Sequence, residues 1–259
     1  YEEKRADYEA FWPNLNAFVK YGVLQDKIFA SVMTRKVIFE DLYGNYKTIR
    51  EYLGTEASSD KDKEKTTVYY SSDAIEQAHY IEIFKKCSLN ALLFDHVIDQ
   101  PFLRRQEMVH PNTEFVRIDS KCEALLQGYL NEGVEAKVTL LTDKINAALG
   151  DRLGKMELKI TNLEVESIST LIINDEKARR MADMLEIYGM INPNDNNAKE
   201  LQSRSKLLVN LNNEIIKHVL ASSGDEADLI LHQLFDLALM SQGSLDPQDV
   251  EGFIQRSEA

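Results

Sequence analysis

The residues best suited to chemistry are Asp95, His96 and Asp99, where a histidine lies among carboxylates. Imidazole and carboxylate groups ligate metal ions, so this trio is compatible with a metal site or a metal-dependent hydrolase. The same residues are typical of a turn between a strand and a helix, where acidic side chains cap the helix. We favour the capping interpretation and predict no metal site and no catalytic residues, with the metal enzyme kept as an alternative.

Motifs for other chemistry are missing from the sequence. It has no glycine-rich phosphate loop, no GxSxG, no HExxH, no CxxC and no EF-hand pattern. Lys and Arg number 30 against 43 Asp and Glu, and the net charge of −13 repels phosphate backbones and anionic lipids. We therefore predict no nucleic-acid or membrane partner and, with two cysteines and no long apolar run, a cytoplasmic protein.

The first part of the chain is predicted to contain two regions. Helical spacing of apolar residues over 8–53 predicts three short helices, the first of them ended or kinked at Pro13. From Thr66, β-branched runs such as TTVYYSS, NALLFDH and TEFVRIDS alternate with helical segments. This alternation predicts a parallel sheet within a small αβα subdomain over 66–120.

Residues 121–259 are predicted to form a second, α+β domain, so the whole chain is of the mixed α+β class. A long helical stretch reaches Leu153, and MELKITNLEV and ISTLIIN are predicted to pair as strands. KLLVNL is predicted to be a strand that runs into a short helix. Two final helices follow, the first with a Ser223–Glu226 capping box and the second capped by Asp246.

Two apolar patterns in this second domain go beyond an ordinary core. Met181, Met184, Leu185 and Tyr188 lie at i, i+3, i+4 and i+7 of a predicted helix from Asp175, on whose exposed face Arg179 and Arg180 are expected. Such a stripe is usually core, but methionine-rich faces also suit surfaces that accept many shapes. The helix before Gly243 is apolar around nearly its whole circumference, so a partner subunit is the simplest way to bury it.

At these residues the chain resembles the heat-shock protein 90 family of molecular chaperones, in its bacterial form. TTVYYSSDAIEQA resembles the family's "IYYIT" strand and the following helix, and NALLFDHVIDQPFL resembles its "VLLLTDPIDEY" segment. RRMADMLEIYG resembles its amphipathic helix, and LILHQLFDLALMSQGSLDPQDVEGFIQRSEA resembles its dimerisation helices. Matching segments occur in the family's order along nearly the whole chain.

The resemblance implies a fragment of an ATP-dependent chaperone. Residues 1–120 would be the end of its middle domain, and residues 121–259 its dimerisation domain, with two helices from each chain forming a four-helix bundle. ATP and Mg would bind in an N-terminal domain absent from this sequence, so the fragment itself would hold no cofactor. The implied partners are a second copy and partly unfolded client proteins.

The resemblance also implies site residues. Client-contacting positions would be Met181, Met184, Leu185, Tyr188 and Phe102. Dimer contacts would be Ile230, Leu234, Phe235, Leu237, Leu239, Phe253 and Ile254. The alternative is a non-catalytic dimeric scaffold protein in which the methionine stripe is ordinary core. An exposed Met181 face would favour the chaperone, and a fully buried one the scaffold.

Overall fold

The computed structural model describes residues 3–54, 66–120, 126, 133–187, 189 and 205–258. The chain divides into two compact units, unit 1 (Tyr1–Ile118) and unit 2 (Asp119–Ala259). Both combine helices with small sheets, so the mixed α+β class is correct. The division lies within two residues of the predicted boundary after residue 120, while the chaperone-domain names of the two parts remain a prediction.

Unit 1 joins a helical pair, a hairpin and a parallel sheet. Its helices are α1 (Arg5–Gln25), α2 (Lys27–Met33), α3 (Ile49–Leu53), α4 (Ala78–Lys86) and α5 (Asp99–Val109). Its strands are β1 (Ile38–Glu40), β2 (Tyr46–Thr48), β3 (Thr66–Ser71), β4 (Leu92–Leu93) and β5 (Thr113–Arg117), and a 3-10 turn spans Thr34–Lys36.

The segment before residue 54 contains three helices as predicted, α1, α2 and α3, but it differs from the prediction at Pro13 and around Phe39. α1 continues through Pro13 instead of ending there, because its Trp12 and Val23 side chains are buried in the core of unit 1 on both sides of the proline. Phe39, predicted to be helical, lies in β1, which pairs antiparallel with β2. The region therefore contains a β-hairpin that helical spacing did not indicate.

The sheet of unit 1 has the strand order β4-β3-β5, with both pairs parallel. This agrees with the alternation of strands and helices in the sequence. Its apolar side chains build a dense aromatic core, in which Phe39 and Phe94 meet edge to face with ring centroids 4.3 Å apart. Asp26 caps α2 by accepting hydrogen bonds from the Ile28 and Phe29 amides.

Unit 2 has a three-stranded mixed sheet covered by helices. Its helices are α6 (Glu135–Leu153), α7 (Glu176–Ile187), α8 (Glu214–Ala221), α9 (Asp225–Ser241) and α10 (Val250–Glu258). Its strands are β6 (Glu157–Thr161), β7 (Thr170–Ile173) and β8 (Lys206–Asn210).

The predicted pairing of the MELKITNLEV and ISTLIIN strands with each other is wrong. β8 lies between them, parallel to β6 and antiparallel to β7. Leu207, Leu208 and Val209 of β8 are all buried, as expected for a strand covered on both faces and flanked on both edges. The continuous apolar run of β8 was the signal for its central position.

Asn210 at the end of β8 explains how the connection between β6 and β7 passes around this strand. Its side chain is fully buried and accepts hydrogen bonds from the Leu163 and Asn212 amides. It donates to the carbonyls of Val165 and Ile168. One amide thus uses its whole hydrogen-bonding capacity, with three of its four bonds made to the loop that joins the two outer strands.

Two helices of unit 2 do not begin at the residues that were predicted to cap them. Gly224, not Ser223, is the N-cap of α9 and makes no side-chain cap, and Glu226 instead contacts His218 Nε2 at 3.0 Å. Asp246 caps the turn before α10, where its carboxylate accepts from the Gln248 amide, and the helix begins only at Val250.

Candidate functional site

The start of α7 is fixed by a buried ion cluster. Glu176 accepts hydrogen bonds from Arg179 at 2.7 Å and from Arg180 at 2.6 Å. Burial opposes ionisation of Glu176, but the hydrogen bonds and charges of the two arginines outweigh it and lower the pKa of the carboxyl. Arg179 is buried, so its predicted place on an exposed face is wrong. The cluster links side chains within the first turns of α7.

The next turns of α7 carry a partly exposed apolar surface. Met181 is 46% exposed, and Met184 and Leu185 are half-buried. We call these three residues the α7 surface. Tyr188, predicted to belong to the same stripe, lies outside the described residues. The predicted spacing therefore yields a face that is neither fully buried nor fully exposed.

Phe102, the remaining residue predicted to contact clients, is in the core of unit 1. Its side chain is fully buried on α5, with its ring centroid 5.9 Å from that of Phe39. A side chain in this position supports the aromatic core and is not available at a surface. We therefore correct the prediction for Phe102.

α9 divides its apolar residues between two sides. Its inner side, in the core of unit 2, includes Leu234 (5% exposed) and Phe235 (2% exposed). These two residues were predicted as dimer contacts, but they are occupied within their own chain. On its outer side Leu237 is 44% exposed, and Leu229 and Met240 are exposed to a similar degree. The exposed apolar side chains of α9 are therefore confined to its outer side.

α10 adds further apolar side chains next to α9. Ile254 is 49% exposed, Val250 is exposed and Phe253 is half-buried. Gln233 of α9 donates to Ser257 of α10, which brings the two helices side by side. We call Leu229, Leu237, Met240, Val250 and Ile254 the outer C-terminal surface. The other predicted dimer contacts, Ile230 and Leu239, are partly buried against the core of unit 2.

A buried carboxylate attaches α10 to the rest of unit 2. Asp236 of α9 is fully buried, and Arg152 of α6 donates to it at 2.7 Å. Arg256 of α10 forms an ion pair with the other oxygen of the same carboxylate. Arg152 also contacts Asp249 at 3.1 Å. Burial opposes the charge of Arg152, but both aspartates outweigh it and raise the pKa of the guanidinium.

The contacts of Asp99, one of the three residues considered for a metal site with Asp95 and His96, are those of a structural residue. Asp99 is buried in an ion pair with Lys20, and its second oxygen accepts from the His96 amide at 3.1 Å. Within the part of the chain that the structure describes, no group of three or more His, Cys, Asp or Glu is placed to hold a metal ion. Asp99 lies in the first turn of α5, but that helix has no side-chain cap, and the Asp99 carboxylate bonds to Lys20 and to the His96 amide. The predicted helix-capping role of Asp99 is therefore wrong, and the absence of a metal site stays a prediction.

A further apolar face in unit 1 was missed by the sequence reasoning. Phe18 of α1 is 77% exposed and Ile28 of α2 is 80% exposed, and Phe11, Tyr21 and Val32 are exposed as well. The signal was present, because Phe11, Leu15 and Phe18 form one helical stripe and Trp12, Asn16 and Lys20 form another. One helix packed on one side can bury only one of the two stripes.

None of the helices in the described part of the chain is both long enough and apolar enough to cross a membrane.

Comparison with known proteins finds one matching family model and several similar proteins. The family model described as Hsp90 protein matches residues 1–258. The chain is 26% identical over 238 residues to the chaperone protein htpG of Bacteroides fragilis (strain YCH46), which covers 87% of this chain and 34% of that protein. It is 27% identical over 244 residues to the chaperone protein HtpG of Porphyromonas gingivalis (strain W83), covering 90% and 34%.

A relative of lower identity is matched over a similar part of its length. The chaperone protein HtpG of Polaromonas sp. (strain JS666) is 22% identical over 265 residues, which covers 97% of this chain and 39% of that protein. The chain thus spans about a third of the length of the curated relatives it matches. Since the family model covers nearly all of its residues, the chain is a member of the Hsp90 protein family.

Proposed function

We propose that this chain is the client-binding and dimerising part of an ATP-dependent molecular chaperone. The observation that carries the proposal is the partial exposure of the α7 surface, with Met181 accessible and Met184 and Leu185 half-buried. Ordinary core packing would bury such a stripe completely. A partly open methionine face on a member of the Hsp90 family is suited to a transient apolar partner.

The chemistry of client binding is physical, with no covalent step. A partly unfolded protein exposes apolar side chains. Covering them lowers the free energy by about 25 cal/mol for each Å² of apolar area removed from water. Methionine side chains are unbranched and polarisable, so Met181 and Met184 can adjust to different shapes. Binding at such a small face is weak, which allows the client to leave and fold.

Dimerisation is proposed to use the outer C-terminal surface. Leu237 and Ile254 are its central members, with Phe253, Ile230 and Leu239 at its edges. Two helices from each chain would then pack as a four-helix bundle. A client that touches the α7 surfaces of both copies gains from the raised effective concentration of the second site.

ATP binding and hydrolysis are proposed to take place in parts of the full protein outside these residues. The chain has no glycine-rich phosphate loop, and its described residues include no carboxylate or histidine group arranged around a metal ion. The relatives are about three times as long as this chain, which leaves room for a nucleotide-binding region. We assign no nucleotide contact to any residue here.

The dimer is tested by light scattering on the chain and on the double variant Leu237→Asp/Ile254→Asp. We expect twice the 29.6 kDa of one chain for the original and 29.6 kDa for the variant, with unchanged circular dichroism. Both residues are already half exposed, so the charges are tolerated in a single chain. Ile28→Asp, at an exposed apolar position in unit 1, is the matched control and stays dimeric. An original chain that is monomeric at micromolar concentration would refute this part of the proposal.

Client binding is tested with reduced, carboxymethylated α-lactalbumin, a permanently unfolded protein, as the probe. We expect Met181→Asp to weaken its binding several-fold because the charge must be desolvated against apolar client surface. Met108→Asp, at an exposed methionine of α5, is the matched control and leaves binding unchanged. Equal affinity of the Met181 variant and the original chain would remove client binding and favour the dimeric scaffold alternative.

A further inference from the structure

Unit 1 contains a cavity of about 190 Å³ between α1, the β1–β2 hairpin and the residues after β4. Its walls combine aromatic rings with acceptor groups. The lining includes Trp12, Phe39, Tyr46, Glu40, Asp95 and His96. Pockets for drug-sized ligands measure roughly 300–1,000 Å³, so this one fits a single side chain or a small organic ion.

The cavity wall includes Lys20, which belongs to a buried ion pair. Lys20 lines the cavity and is buried, and its ammonium group pairs with buried Asp99. The pair contributes no net charge, whichever partner carries the proton. The Lys20 ammonium also lies 4.6 Å from the centroid of the Phe39 ring, so one cation already contacts an aromatic wall here.

Asn16, another lining residue, carries an acceptor that nothing satisfies. Its amide nitrogen lies 3.2 Å from the Pro13 carbonyl and 3.0 Å from His96 Nε2. The contact with the Pro13 carbonyl identifies that nitrogen as the donor of the Asn16 amide. Asn16 Oδ1 is buried and has no hydrogen-bond partner among the described residues. A buried carbonyl oxygen of this kind is satisfied when an N–H donor occupies the cavity.

The remaining charges on the cavity wall are negative. Once Lys20 and Asp99 cancel, Glu40 and Asp95 are the lining residues that carry charge. Their effect reaches the Tyr46 phenol, whose pKa is raised by burial and by the carboxylates of Glu40, Asp95 and Glu9. Aromatic walls beside carboxylates attract a cation, through the ring quadrupole and through direct Coulomb attraction.

We propose that this cavity binds a primary ammonium or guanidinium group, supplied either by a Lys or Arg side chain of another polypeptide or by a small free amine. The alkyl part contacts the aromatic rings of Trp12, Phe39 and Tyr46. The cationic end interacts with the carboxylates of Glu40 and Asp95, and a rotation of the Asn16 side chain toward the cavity would allow its unpaired oxygen to accept from the N–H groups. The site is independent of the proposed client and dimer surfaces, which lie in unit 2.

Trp12 makes the test specific, because it is the single tryptophan of the chain and it lines the cavity. The 259-residue chain is titrated at constant ionic strength with butylammonium chloride, butylguanidinium chloride and, as a neutral probe, butanol, while Trp12 fluorescence is recorded. We expect a saturable change for one or both cations, with a dissociation constant of about 1 mM, and none for butanol. No saturable change with either cation, or an equal change with butanol, would overturn the proposal.

A second arm separates the two sources of the cation. N-acetyl-lysine methylamide and N-acetyl-arginine methylamide present the same groups on a peptide backbone. Binding of these compounds as tightly as the free amines identifies a polypeptide side chain as the ligand. Binding of the free amines alone identifies a small amine. Either result supports a cation site.

The charge requirement is tested with Glu40→Gln. We expect this variant to raise the dissociation constant about two- to fivefold, the range for losing one solvent-exposed charge contact. Glu76→Gln is the matched control, because Glu76 is an exposed glutamate of unit 1 outside the cavity lining. An equal loss in both variants would mean that overall charge, not this cavity, attracts the cation, and would overturn the assignment.

Discussion

Replacing Asp236 is expected to lower the free energy of unfolding of unit 2 without affecting that of unit 1. Its carboxylate is fully buried and joins Arg152 of α6 to Arg256 of α10. Asp236→Ala leaves both guanidinium groups without this partner, and breaking a buried ion pair from one side costs roughly 3–5 kcal/mol. Arg152 and Arg256 keep 27% and 22% of their side-chain surface in water, and Arg152 keeps Asp249. We therefore expect the lower value, a loss of about 3 kcal/mol.

The measurement uses two optical signals that separate the units. Circular dichroism follows the helices of both units during thermal unfolding, whereas Trp12 fluorescence reports on unit 1. For a unit of this size, about 3 kcal/mol lowers the midpoint by roughly 10 °C. We expect this shift in the dichroism transition of unit 2 and no shift in the fluorescence transition.

Asp228→Ala is the matched control for Asp236→Ala. Asp228 is an exposed aspartate in the first turn of the same helix, where its charge interacts favourably with the helix dipole. Removing this charge lowers the free energy of unfolding by at most about 1 kcal/mol. A loss of less than about 1 kcal/mol for Asp236→Ala would refute the reasoning, because the buried pair would then be worth no more than a surface one.

Three further outcomes follow from buried groups. Burial opposes ionisation of Asp41, but Lys47 and other hydrogen-bond donors lower its pKa to about 2, so it contributes stability above pH 4 that is lost as the pH falls toward 2. Acid titration followed by Trp12 fluorescence should show this loss for the original chain and not for Asp41→Asn. Asn210→Asp should lower the free energy of unfolding of unit 2 by more than about 2 kcal/mol in urea, because a carboxylate then faces the Ile168 carbonyl. Phe102→Ala should cost about 3–5 kcal/mol in unit 1 and leave α-lactalbumin binding unchanged.

The sequence predicted those elements whose pattern is local. The β-branched runs around Val68 and Phe115 indicated a parallel sheet, and these two residues are register partners in neighbouring strands. The helix from Asp175 and the strand followed by a short helix near residue 210 were also located correctly. In each case the spacing of apolar residues within about a dozen positions was sufficient.

Features that depend on distant residues could not be predicted. β1 and β2 have three residues each, too few for strand alternation to be recognised, so Phe39 was assigned to a helix. The pairing of Lys20 with Asp99 joins positions far apart in the sequence, and no local pattern indicates it. The same holds for Asn210, whose polar type gave no indication of a buried position.

The candidate site shows a similar limit. The spacing of Met181, Met184 and Leu185 placed them on one stripe, but spacing contains no information on how deeply the stripe is buried. For α9, apolar on all sides, the sequence could not distinguish Leu234, which faces its own core, from Leu237, which is exposed. Only the packing of α6 and the sheet against one side of α9 decides between them.

The central position of β8 has a consequence for the synthesis of this protein. β6 and β7 are made first, but each pairs with β8 and neither with the other. Until residue 210 has left the ribosome, both strands have open edges that can pair with other chains. Unit 2 can therefore complete this sheet only after β8 has been made, and a nascent chain stopped before Lys206 leaves β6 and β7 with open edges that favour aggregation.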